Sequence, residues 1–134
     1  MSERGRRAVG CILDASAVLA FLQGEPGAEA VEGRLPGAGI CAVNLSEVAG
    51  KLSDTGMPAA QARAAVEALG LTVIPFGEDL AWAAAALRPA ARRLGLSLGD
   101  RVCLATGIAL GLPVVGGDRA WSELELPIPV ERIR

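Results

Sequence analysis

The sequence predicts an α/β fold, a three-layer α/β/α sandwich around a central parallel sheet of four to five short strands. Short, continuously apolar runs recur along the chain, as in strands buried on both faces. Stretches with helical periodicity separate them, the alternation of a parallel sheet covered on both sides. Glycine and proline mark most of the boundaries.

The first apolar run, residues 8–13, ends at Asp14 and reads as a buried strand. Residues 16–23 follow as a helix with Val18, Leu19 and Leu22 on one face, and Gly24 and Pro26 mark its stop and the next start. A short helix over 27–35 and a second strand over 39–42 come next. In 44–55, Leu45, Val48, Ala49 and Leu52 recur at i, i+3, i+4 and i+7, which predicts an amphipathic helix closed by Gly56. Pro58 opens another helix to Leu69, and Leu71 to Pro75 form a third strand. Residues 78–94 are helical with a kink or break at Pro89. Residues 99–110 are helical up to Gly111, Val114 and Val115 form a fourth strand, and 128–130 a fifth.

No interdomain linker, repeat or low-complexity tract interrupts the pattern, so residues 1–134 are expected to form a single domain with a flexible basic N-terminus over 1–7. An apolar fraction of 51% is enough for a core, and 3% aromatics means that Leu, Val, Ile and Ala build it. The net charge of −2 argues against a broad electrostatic nucleic-acid binder and leaves room for a local basic patch. Arginines do cluster, at Arg4, Arg6 and Arg7, at Arg88, Arg92 and Arg93, and at Arg132 and Arg134, where solubility and helix C-terminal charge are equally good explanations.

The three cysteines, Cys11, Cys41 and Cys103, are far apart, odd in number and set in apolar runs. They read as buried free thiols, consistent with a cytoplasmic protein. The apolar run after the N-terminal arginines is cut by Asp14, unlike a secretory signal, and no segment is long enough to span a membrane. There is no histidine, which excludes His-based metal sites, Ser-His-Asp triads and His general bases.

Four acids are placed to reach the carboxyl edge of the sheet, where open α/β folds bind ligands. Asp14 follows the first strand, Glu47 lies in the first turn of the helix after the second, Asp100 in the first turn of helix 99–110, and Asp118 follows the fourth strand. Singly, each has a helix-capping explanation: Asp14 and Asp118 as N-caps, Asn44-x-x-Glu47 and Ser97-x-x-Asp100 as capping boxes. Together they would repel one another in a shared cleft, and a hard divalent cation relieves that repulsion. Mg²⁺ or Mn²⁺ takes oxygen ligands, acidifies water and neutralises phosphodiester charge, chemistry that needs no histidine.

The motifs around these acids resemble those of PIN domains, especially VapC-type toxins of type II toxin–antitoxin systems. Ile12-Leu13-Asp14-Ala15-Ser16-Ala17 is similar to the opening motif, Ser46-Glu47-Val48 to the second, Leu96-Ser97-Leu98-Gly99-Asp100-Arg101 to the third, and Pro113-Val114-Val115-Gly116-Gly117-Asp118-Arg119-Ala120-Trp121 to the fourth. The resemblance runs over nearly the whole chain. It implies a PIN-like α/β/α fold, Mg²⁺-dependent endoribonuclease activity with Mn²⁺ as a substitute, a homodimer, and neutralisation by a cognate antitoxin protein. It maps the catalytic metal ligands onto Asp14, Glu47, Asp100 and Asp118, with Asp14 and Asp100 central and Ser16 supporting the site or serving as a helix-start hydroxyl. Arg101 and Arg119 adjoin site acids and are candidates for RNA phosphate contacts or surface salt bridges. Where the family often has Thr or Ser two residues before the last Asp, this chain has Gly116.

Single-stranded RNA is the expected substrate, since A-form duplexes expose little sequence information. The apolar faces of 27–35 and 44–69 could form a groove for an antitoxin helix or pack in the core. Two alternatives stand beside the nuclease. A phosphohydrolase with Asp14 as nucleophile would want a second Asp two residues on, where Ser16 stands. A catalytically weak or inactive PIN-like scaffold would bind a protein partner or RNA without cutting.

Overall fold

The computed structural model describes residues 8–117 and 119–134. The basic segment expected to be flexible, 1–7, and the candidate ligand Asp118 lie outside the described residues. The elements run β1 (Cys11–Leu13), α1 (Ala15–Gln23), α2 (Ala28–Arg34), β2 (Ala38–Cys41), α3 (Ala42–Asp54), α4 (Ala59–Glu67) and β3 (Thr72–Ile74). They continue with α5 (Glu78–Ala86), α6 (Arg88–Leu94), α7 (Leu98–Leu110), β4 (Val114–Gly116), a 3-10 turn (Arg119–Glu123) and β5 (Val130–Arg132).

All strand pairs are parallel, in the order β3-β2-β1-β4-β5. Side-chain alternation splits the sheet between two cores. Cys11 and Leu13 of β1 join Ala38 and Ile40 of β2 in a core with Val18, Val31, Val48 and Leu52 of α1, α2 and α3. Ile12, between them, faces the opposite core with Cys103 and Leu104 of α7, Val114 and Trp121. The expected three-layer α/β/α sandwich is therefore present, with α1–α4 on one face and α5 and α7 on the other.

The break expected at Pro89 does divide 78–94 into two helices, because the proline has no N–H to bond back to the preceding turn. Instead α5 stops at Ala86 and α6 carries the proline in its first turn. The differences from the sequence expectations are local. The third strand is a sheet edge with Thr72 and Val73 exposed, although its apolar run reads as a buried strand. The 3-10 turn over Arg119–Glu123 has no clear periodic signature and drops Trp121 fully into the core. The three cysteines are free and buried, as expected.

Among the described residues, no helix is long and apolar enough to cross a membrane. An apolar groove of about 490 Å³ lies between α3, α4 and β3, lined by residues such as Leu45, Met57, Val66 and Leu71. The helix over 27–35 adds nothing to its lining, so the expected groove forms from the 44–69 segment and the β3 edge.

Candidate metal centre

The chain runs from β1 outward through β2 to β3, then returns to place β4 on the other side of β1. The carboxyl ends of β1 and β4 thus flank the topological switch point, the usual ligand crevice of such sheets. Asp14 directly follows β1 there, and Gly117 directly follows β4.

Asp14 is also the N-cap of α1: its Oδ1 accepts the Ala17 amide at 2.8 Å. The Ser16 hydroxyl has one proton to donate and directs it to the Asp14 carboxylate, at 2.8 Å from Oδ1 and 2.9 Å from Oδ2. The same oxygen accepts the Gly117 amide at 3.1 Å, so Ser16 pins Asp14 to the segment after β4. Asp14 is 6% exposed. Burial pushes its carboxyl up to about 6; the Ala17 and Ser16 hydrogen bonds pull the other way, and the Asp100 and Glu47 charges add to the rise.

Glu47 projects from α3, which begins at Ala42 and not at the expected Asn44 cap. Asn44 is therefore inside the helix, 1% exposed, and its Nδ2 donates to Glu47 Oε1 at 2.9 Å and to the Gly99 carbonyl at 3.0 Å. Exchanging the amide's oxygen and nitrogen would set Oδ1 against two acceptors, so the orientation is fixed. Asn44 ties α3 to the start of α7 and holds Glu47 in place. The expected capping box at Ser97 is present: Asp100 N–H donates to Ser97 Oγ at 3.1 Å, and Ser97 N–H donates to Asp100 Oδ2 at 3.0 Å. Capping and a place in the site coexist in Asp14 and in Asp100.

Asp14, Glu47 and Asp100 line one cavity of about 210 Å³ together with Ala15, Ser16, Leu19 and Lys51. Two glycines make room for two of the carboxylates. A Cβ on Gly99 would stand 2.6 Å from Glu47 Cδ, and one on Gly116 would stand 2.5 Å from Asp14 Oδ2 and 3.0 Å from Trp121 Cζ3. Gly116 is thus more than a missing hydroxyl, because the Asp14 carboxylate occupies the space a side chain would need. Beneath the site, burial holds the Cys103 thiol well above its ordinary value, and the nearby Asp14 and Asp100 charges add to this.

Three carboxylates line one cavity, oxygen donors of the type a hard divalent cation takes, and one of them is buried where its negative charge is costly without a counter-charge. Among the described residues, no group of three acids, cysteines or histidines stands in ligating geometry. Each acid is instead held by its local partner, Ser16, Asn44 or Ser97. Arg101 does not line this cavity; its Nη1 donates to the Ala84 carbonyl at 3.1 Å, on the α5 side. Arg119 is exposed in the 3-10 turn and does not line the cavity either. The sequence gives Asn44 only a capping role and offers no part for Lys51. The i, i+4 spacing of Glu47 and Lys51 was the available signal for the latter.

The molecule is a three-layer α/β domain with acids gathered near the carboxyl end of its first strand. The chain belongs to the PIN domain family, whose profile matches residues 11–126. No curated protein sequence matches it significantly. Among solved structures it is similar to DNA-bound VapBC from Salmonella typhimurium, with a TM-score of 0.72 and 18% identity over 94% of this chain and 99% of that one. A toxin–antitoxin complex from Klebsiella pneumoniae gives 0.69 and 21% over 90% and 99%. PAE2754 from Pyrobaculum aerophilum gives 0.63 and 16% over 91% and 83%. At these identities the likeness is one of fold.

Proposed function

We propose that this protein is a metal-dependent endoribonuclease and the toxin component of a toxin–antitoxin module. The observation that carries this reading is the convergence of Asp14, Glu47 and Asp100, from three separate elements, on one cavity at the switch point. Membership of the PIN domain family supports it. A bound Mg²⁺ or Mn²⁺ supplies Lewis acidity toward a phosphodiester and lowers the pKa of a water molecule.

The chain's own residues prepare the site. Asp14 and Asp100 would be the central ligands of such an ion, and Glu47 and Asp118 would hold it directly or through water. Ser16 fixes the Asp14 carboxylate, and Asn44 fixes that of Glu47. Lys51, the one cation among the described residues that line the cavity, offers its ammonium to a non-bridging phosphate oxygen. The test is cleavage of single-stranded RNA with Mn²⁺ by the wild type and by Asp100→Asn. The wild type should cut, EDTA should stop it, and the variant should be inactive. Equal, EDTA-insensitive cleavage by both would end the mechanism.

A second reading is a PIN-like scaffold that binds a protein or RNA without catalysis. The hold of the capping box on Asp100 favours it. Calorimetric titration with Mn²⁺ separates the two, since a scaffold should bind none appreciably.

The partner in this reading is an antitoxin protein, the Klebsiella structure being a toxin–antitoxin complex, and the groove between α3, α4 and β3 would take one helix of that partner. A homodimer and a cytoplasmic location, the latter consistent with three free thiols, complete the proposal. Co-expression with the neighbouring open reading frame, followed by pull-down, tests the pairing. Recovery of this chain alone would count against it.

A further inference from the structure

A second cavity, of about 400 Å³, opens beside the carboxylate site, lined by Arg88, Ala91, Arg92, Gly95, Leu96, Leu98 and Arg101. Three arginines line one space in a chain whose net charge is −2. Arg88 and Arg92 stand one turn apart on α6, and Arg101 comes from the first turn of α7. None of the three has an ion-pair partner among the described residues. Arg101 spends one of its five N–H donors on the Ala84 carbonyl, which anchors it and leaves the others without a hydrogen-bond partner among the described residues. Like charges gathered without counter-charges repel, and an anion relieves the repulsion.

The place of this cavity gives the anion its chemistry. Asp100 lines the carboxylate cavity and Arg101 the arginine cavity. They are consecutive residues of one helix, about 100° apart around its axis. The two cavities therefore share the first turn of α7, which places the arginines along one side of the carboxylate site. Planar guanidinium forks suit phosphate oxygens.

We propose that Arg88, Arg92 and Arg101 form a phosphate subsite that holds the backbone of a single-stranded RNA on one flank of the cutting site. This rests on the nuclease reading above. The subsite positions the strand and leaves the bond-breaking groups untouched.

The test is fluorescence anisotropy of a labelled oligouridylate binding to the full chain in EDTA, where no cutting occurs, across a range of salt concentrations. Replacing Arg88 and Arg92 together by Ala should weaken binding and lower the log–log salt slope by about 0.7 for each phosphate no longer neutralised, about 1.4 for two. The charge-matched pair Arg63→Ala and Arg132→Ala, on α4 and β5, should leave the slope near the wild-type value. In Mn²⁺, the Arg88/Arg92 variant should cut with a raised KM and an unchanged kcat. An unchanged slope in that variant would overturn the proposal, as would an equal loss in the charge-matched pair. Dependence on these arginines for poly-glutamate binding alone would overturn it in favour of an acidic protein segment. A chain that binds RNA through the arginines but never cuts would sink only the nuclease reading; one that cuts regardless of them would sink only this one.

Discussion

The carboxylate of Glu47 lies directly over the backbone of Gly99, with Cδ 2.6 Å from where a Cβ would be. The Asn44 amide bridges the same pair, donating to Glu47 Oε1 and to the Gly99 carbonyl. One residue of α7 without a side chain thus sets where a carboxylate of α3 can rest.

Gly99→Ala tests that relationship. The obstructing atoms are the far end of a flexible side chain and Ala suits a helix better than Gly, so the fold should hold and thermal melting should move little. Glu47 must swing out, and Mn²⁺ affinity measured by calorimetry should fall by roughly 10-fold or more. Unchanged affinity would show that Glu47 has no part in holding the cation.

Gly116→Ser would restore a hydroxyl where the family often has one. Here its Cβ would press on Asp14 Oδ2 at 2.5 Å and on Trp121 Cζ3 at 3.0 Å, and Trp121 is fully buried. Overpacking of this kind costs about 1–3 kcal/mol. The variant should be less stable in chemical denaturation and no more active; a gain in activity at full stability would contradict this account.

Asp14 gives the metal-free protein a characteristic pH dependence. Its carboxyl is raised from 3.8 to about 6, so the folded state binds more protons than the unfolded one between these values. Its contribution to stability is fully present below about pH 4 and is lost as pH rises through about 6. The full effect is on the order of 3 kcal/mol. Asp14→Asn keeps an N-cap acceptor and should therefore be more stable than the wild type at pH 7.5 in EDTA, with the difference shrinking toward pH 4. Mn²⁺ should raise the melting temperature of the wild type more at pH 7.5 than at pH 5, where protons compete for Asp14. A pH-independent difference between the two proteins would rule out the linkage.

Ser16→Ala removes a hydroxyl that donates to Asp14 and accepts from the Gly117 amide. The loss to stability should be about 1 kcal/mol, an ordinary hydrogen-bond deletion. Metal affinity should fall by about 10- to 100-fold, since the carboxylate loses its orienting partner. Equal, small losses in both would reduce Ser16 to a helix-start residue.

Much of this was legible in the sequence because strand burial writes itself as unbroken apolar runs. Cys11 to Leu13 and Val114 to Val115 are readable for that reason, and Asp14 at the end of the first run marks the sheet edge. What escaped depends on contacts between distant segments. Asn44 looks like a cap because its spacing to Glu47 fits one, and only the packing of α3 on α7 turns it toward Gly99. Val73 reads as buried because composition cannot tell an edge strand from a central one. Lys51 and the glycines at 99 and 116 matter through the space around them, which one sequence does not record. The residue most needed to complete the set, Asp118, lies outside the described residues.

The Ser16–Gly117 hydrogen bond joins residues 101 positions apart. Closing so long a loop carries an entropic cost, which makes such contacts slow to form. A polypeptide emerging from the ribosome would hold Asp14 and Asp100 well before the β4 end exists to lock Asp14. The hold on Asp14 is therefore completed only after the chain has been made through Gly117, later than the acids it serves.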